Sequence, residues 1–114
     1  MKSAKFYILH RDASGELTPK EVEGFIKEVD GAWFGIHSEG RAHWVVTELT
    51  TGLKCSKNPY SNKQKAEASI TTELLITVAN LLTAKRTYEQ YTEIIRKAYE
   101  EGNADMFWRL YPEG

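Results

Sequence analysis

The spacing of apolar residues changes character once along this chain, and that change limits what it can fold into. Up to Cys55, apolar and β-branched residues come in short runs that alternate with polar ones. From Asn62 onward they recur every three to four positions. A period of two places alternate side chains on opposite faces of a strand, and a period near 3.6 places them on one side of a helix. Strands followed by helices predict an α+β fold: an N-terminal antiparallel β-sheet of about four to five strands packed against two to three C-terminal helices. The 114 residues fit a single domain, 1–114, with a sheet-forming half at 1–57 and a helical half at 62–111.

Local signals place the elements. "KFYILHR" (Lys5–Arg11) is aromatic and branched and ends at the turn cluster "DASG", which reads as a first strand. Residues 20–29 are ambiguous. Thr18, Pro19 and Glu21 have the form of a helix start, with cap, first position and capping box, and Val22, Ile26 and Val29 fit a helical stripe. Against helix stand Gly24 and the Asp30-Gly31 pair, because Asp-Gly between two β-rich runs signals a hairpin. The balance favours a strand over Glu23–Val29 paired with "AWFGIHS". "HWVVTELTTGLKCS" then reads as a second hairpin turning at Thr51-Gly52, with His43, Val45, Thr47 and Leu49 on one face and Trp44, Val46 and Glu48 on the other. Connections this short force antiparallel pairing.

In the second half, Ile70, Leu74, Val78 and Leu81 form a stripe that Leu75, Ala79 and Leu82 widen. A helix apolar over most of its circumference is expected to be the buried one. "TYEQ" (Thr87–Gln90) starts a second helix with Tyr88, Tyr91, Ile95, Ala98 and Tyr99 on its inner side and Gly102 as its stop. Asn103 caps a last helix whose apolar side is Met106, Phe107, Leu110 and Tyr111.

The groups able to do chemistry are few and scattered. Cys55 is the single cysteine, so no disulfide forms within the chain, and its setting points to a reducing compartment. The first twenty residues carry Lys2, Lys5, Arg11 and Asp12 and lack the apolar core of a secretory signal, so a cytoplasmic protein with no membrane association is expected. Cys55 with His37 or His43 is the one conceivable nucleophile–base pair, but "GLKCS" matches no cysteine-enzyme signature. His10, His37, His43 and Cys55 lack metal-ligand spacing, and no glycine-rich phosphate loop is present. The expectation is no catalytic set, no metal site, no cofactor and no enzyme.

Residues suited to making surfaces are concentrated instead. Net charge is −1, but residues 31–66 hold five Lys/Arg against two Asp/Glu, and residues 67–114 hold five against eight. In the basic stretch, Lys54, Lys57, Lys63 and Lys65 surround Tyr60, a set that can meet phosphates while the ring stacks on a base. In the acidic stretch, Glu89, Glu93, Glu100, Glu101 and Asp105 can present carboxylates to a basic groove. Trp108, about 100° round the last helix from Phe107, is the candidate anchor.

Gly24–Leu53, "GFIKEVDGAWFGIHSEGRAHWVVTELTTGL", resembles a pattern in short proteins of bacterial phages and other mobile elements. There an F-G-x-H strand precedes a W-x-V-T-x-L-x-T-G-L hairpin and then helices. The matching residues here are Phe34, Gly35, His37, Trp44, Val46, Thr47, Leu49, Thr51, Gly52 and Leu53. The resemblance implies a small accessory protein that acts by binding, as the anti-CRISPR inhibitors of bacterial defence nucleases do. The functional expectation is therefore a non-enzymatic protein-binding module of phage or mobile-element origin, with a host nuclease as a possible partner. The alternative is a small nucleic-acid-binding protein using Lys54–Lys65. Packing of the aromatic helices between two chains, as a homodimer, stays open.

Overall fold

The structure is a computed structural model that describes residues 1–56, 58–84 and 88–113; the side chains of residues 80–84 and of Tyr88 fall outside the description. Five strands, β1 (Lys2–Arg11), β2 (Leu17–Val29), β3 (Ala32–Ser38), β4 (Trp44–Glu48) and β5 (Leu53–Lys54), precede α1 (Lys63–Ala68), α2 (Thr72–Ala84), α3 (Tyr88–Gly102) and α4 (Ala104–Leu110). The strands form one antiparallel meander in the order β1-β2-β3-β4-β5. The α+β expectation holds, with four helices among the described residues rather than two to three.

Residues 20–29 are strand throughout. The helix-start pattern at Thr18, Pro19 and Glu21 is overridden because the segment pairs with β1 from Arg11↔Leu17 to Lys2↔Ile26. Asp30 and Gly31, with φ of 50° and 86°, make the tight turn that returns the chain as β3. β2 is longer than the hairpin requires. It pairs with β3 only from Phe25↔Ile36 to Val29↔Ala32, so among the described residues Leu17–Gly24 has β1 on one side and no strand on the other. The divergence falls at Gly24, where a Cβ atom would collide with the Ile36 carbonyl oxygen. A side chain at this position would force the two strands apart in the wrong place.

Apolar residues on the two faces of the sheet feed two separate cores. Phe6, Ile8, Ile26 and Leu49 pack with Ile95, Tyr99, Met106, Phe107 and Leu110 of α3 and α4. On the other face Phe34, Ile36 and Val46 pack with Ala66 of α1 and with Ile70. Gly35 makes the first core possible: a Cβ there would lie 2.6–2.9 Å from the Phe6 ring and Leu49. Glu48 is buried, but its carboxylate accepts hydrogen bonds from the N–H and hydroxyl groups of Thr50 and Thr51, which fixes the turn into β5.

The sheet curls, and its long first edge is closed. The Tyr7 N–H donates to Tyr99 Oη at 2.9 Å, the Leu9 N–H to the Gly52 carbonyl at 2.8 Å, and Asn103 Nδ2 donates to the Lys5 carbonyl at 3.0 Å. An uncovered ten-residue edge would template pairing with other chains. Here Tyr99 of α3, Asn103 at the start of α4 and Gly52 of the β4–β5 turn take up three of its outward groups.

Two expectations about helices are corrected. The apolar helix α2 is not the buried one: Ile76 is 55% exposed, and Leu74, Leu75 and Val78 are only half-covered. The sheet's concave partner is α3, which presents Ile95 and Tyr99 and is joined there by α4. Gly102 ends α3 without a left-handed backbone. It is instead a point of close approach, since a Cβ there would collide with the Tyr7 hydroxyl. Asn103 caps α4 as expected, its side chain accepting from the Met106 N–H. The "TYEQ" start includes Thr87 and lies partly outside the described residues.

Candidate functional site

The inner side of α3 is fixed by Ile95 and Tyr99, so its opposite side must face outward. Glu89, Glu93, Glu100 and Glu101 are all exposed. At about 100° and 1.5 Å per residue, Glu89, Glu93 and Glu100 fall within about 40° of each other along about 16 Å of helix. Arg96 shares that side of the wheel but is drawn onto α4, its guanidinium 5.9 Å from the Phe107 ring centre and 5.4 Å from that of Tyr111. The Tyr111 hydroxyl itself is pushed up to about 12, first by burial and then by Glu48. Lys97 is the exposed cation beside the strip.

α4 continues the surface. Met106, Phe107 and Leu110 face the core, which leaves Asp105 and Trp108 outward. Trp108 is 59% exposed, and its ring stands edge-on to Phe107 at 5.3 Å and 83°. A large apolar side chain held by a neighbour, yet mostly in solvent, has the form of a preordered interface anchor. All six acidic-face residues singled out in the sequence are therefore exposed on two consecutive helices.

The basic segment is dispersed by comparison. Lys54 Nζ lies 3.8 Å from Glu39 Oε2. Lys63 Nζ sits 3.6 Å over the Phe25 ring. Tyr60 forms a β-bridge with Trp44 and packs against the Phe34–Ile36–Val46 core. Lys65 is exposed in α1, whose first turn Asn62 caps by accepting from the Lys65 N–H at 2.8 Å. Lys57 lies outside the described residues.

The Cys55–His37 pairing fails on geometry. Cys55 packs into the Phe34–Ile36–Val46 core, and burial pushes its thiol up to about 12, with Glu48 adding to the effect. His37 lies on the other face of the sheet, its ring edge-on to Phe6 at 6.0 Å. The sheet separates thiol from the His37 imidazole, and burial outweighs the Glu48 backbone hydrogen bond that favours a thiolate.

His37 has a partner that the sequence did not suggest. Its Nε2 lies 3.3 Å from Glu39 Oε1, while the same carboxylate reaches His43 Nε2 at 3.5 Å and Lys54. Burial lowers the His37 pKa despite the opposing pull of Glu39, so the ring is neutral at pH 7. With the Nε2 proton directed at Glu39, Nδ1 is left as a buried acceptor without a partner. Among the described residues, no group of three or more His, Cys, Asp or Glu side chains is placed to hold a metal ion.

Beside His37 is a cleft of about 530 Å³ lined by Lys20, Val22, Glu23, His37, Ser38 and Glu39. It is the wedge left where β2 and β3 part at Gly24. Sequence reading missed it because strand alternation reveals faces and not edges. The available signal was a thirteen-residue strand beside a seven-residue partner.

Among the described residues no helix is long and apolar enough to cross a membrane. Comparison of the chain with family models, with curated proteins and with solved structures finds no match.

Proposed function

We propose that this chain is a non-enzymatic protein-binding module whose docking surface is the outer side of α3 and α4. The observation that carries the reading is the joint exposure of Glu89, Glu93, Glu100, Glu101 and Asp105 around a held, exposed Trp108. Charged strips of this kind set partner choice and on-rate, and a central aromatic supplies much of the affinity. The complementary surface is basic, with an apolar pocket for the indole. Basic grooves that normally track a nucleic-acid backbone have that chemistry. Together with the phage-like hairpin between Gly24 and Leu53, this favours a bacterial defence nuclease as the partner, held away from its substrate as anti-CRISPR inhibitors do. The direct nucleic-acid reading has less support, because Lys54 and Lys63 are engaged within the chain and Tyr60 is packed.

The test is a titration of the purified protein into cleavage reactions of RNA-guided nucleases, beside Glu93→Lys/Glu100→Lys and Trp108→Ala variants. Saturable inhibition, weakened at least tenfold by either variant and relieved by salt, is the expected result. Inhibition that both variants retain in full would remove α3–α4 as the docking surface. No complex with any such nuclease would remove the proposed partner class.

A further inference from the structure

The wedge between β2 and β3 carries a second binding surface, independent of the acidic helices. Orientation of the backbone follows from the bonds around it. Tyr7 and Leu9 direct their N–H groups away from β2, so the even-numbered residues of β1 face it. Register then turns Thr18, Lys20, Val22 and Gly24 of β2 toward β1. Leu17, Pro19, Glu21 and Glu23 face the other way, toward the wedge, where no strand of the described chain pairs with them. The backbone N–H and C=O groups of Glu21 and Glu23 therefore form a strand edge beside the cleft that Ser38 and Glu39 line from the far side.

We infer that this open edge of β2 receives an extended, basic segment of a partner polypeptide as an added strand. Strand addition draws its affinity from main-chain hydrogen bonds and its selectivity from alternate side chains. An added residue opposite Glu21 or Glu23 has its Cβ about 5 Å from that of an exposed glutamate, which selects lysine or arginine there. The intervening position faces Val22 and takes an apolar residue. The nearest cation by register is Lys5, opposite Glu23, and it forms no ion pair with that carboxylate.

Charge also rules against a second copy as occupant. A two-fold antiparallel pairing of this edge centred on Glu21 opposes Glu21 to Glu21, and one residue along it opposes Glu21 to Glu23 twice. Centring on Lys20 opposes the two lysines. Like charges directly opposite each other destabilise a strand pair, so the registers centred on Lys20, Glu21 and Val22 are disfavoured between copies, and a complementary strand is favoured.

The experiment uses the full chain and a fluorophore-labelled Lys-Val-Lys-Val-Lys-Val-Lys peptide, read by anisotropy at low salt. Saturable binding is expected, with slowed amide exchange at Glu21 and Glu23. Glu21→Pro should abolish it: the lost N–H points into the wedge, and Pro19 already occupies an equivalent outward position in the same strand. Glu21→Lys/Glu23→Lys should weaken binding at least tenfold, while both variants keep the urea midpoint of the parent. Binding that survives Glu21→Pro, or that is lost instead in Glu93→Lys/Glu100→Lys, would overturn the inference. So would absence of binding, or self-association that Glu21→Pro abolishes.

Discussion

Tyr99→Phe tests whether closure of the β1 edge contributes to stability. The substitution keeps the ring, its burial and its edge contact with Tyr7 at 5.0 Å, and removes only the oxygen that accepts the Tyr7 N–H. No methyl-sized void is created, so the cavity cost of core truncation does not arise. What remains is an amide on a partly buried strand edge without an acceptor, a loss of about 1–3 kcal/mol. Phenylalanine avoids desolvating a hydroxyl, which places the net effect in the lower half of that range. With a urea slope of about 1.5 kcal/mol per molar, the midpoint should fall by roughly 1 M with the slope unchanged. The melting temperature should fall by about 4–8 °C. Unfolding can be followed through the three tryptophans, and amide exchange gives the local readout. The Tyr7 amide should lose protection, while those of Phe6 and Ile8, which face β2, should not. An unchanged midpoint with Tyr7 still protected would refute this reasoning: the Tyr99 hydroxyl would then contribute nothing, and ring packing alone would dock α3 and shield the amide.

Gly24→Ala should cost more than the usual glycine-to-alanine change in a strand, because the new methyl meets the Ile36 carbonyl backbone, which cannot swing aside; a loss of about 1–3 kcal/mol in urea unfolding is expected. His37 is held neutral by burial, so as pH falls through about 6.5 the unfolded chain takes up a proton that the folded one resists. Stability should therefore be full above that pH and decline below it, and His37→Asn should flatten this part of the profile. Cys55 has its pKa raised to about 12, so the unfolded thiol ionises first as pH rises above about 8.5; the stability it contributes is present below that and lost on going through pH 12. Folded protein at pH 8 should react with iodoacetamide at least tenfold more slowly than protein in urea, and equal rates would contradict the buried placement of the sulfur.

Where a signal was local, the sequence was legible. Asp30-Gly31 needs positive φ at both turn positions, and few other residue pairs supply it. Asn103 caps α4 through a contact three residues away, and Trp108 is exposed because Phe107 and Leu110 already define the inner side. Competition between elements was not legible. Thr18, Pro19 and Glu21 carry a valid helix-start pattern, but β1 offers this segment a ten-residue ladder, and tertiary pairing outweighs a cap. The prediction that α2 is buried failed for a related reason: hydropathy ranks helices by what they could bury, and not by which one the sheet can hold. Tyr99 and Ile95 reach the Phe6–Ile8–Leu49 face with a hydroxyl that also closes the β1 edge, and α2 has no such group among its described side chains.

The same contrast explains why the two proposed surfaces differ in how they came to light. The acidic face of α3 and α4 is a property of side chains at helical spacing, so the pattern of residues alone could nominate it. The β2 edge is a property of main-chain groups left over when a long strand outruns its neighbour, and no residue type announces it. Gly24 connects the two levels. Without a Cβ at that position β2 can approach the Ile36 carbonyl and still part from β3 immediately beyond it, leaving Glu21 and Glu23 with backbone groups that only another polypeptide strand, or water, can satisfy. Acidic residues at those two positions keep the edge from pairing with itself while leaving it open to a basic strand. A surface protected against its own copies in this way, with no strand of the described residues paired to it, has the physical character of a binding edge.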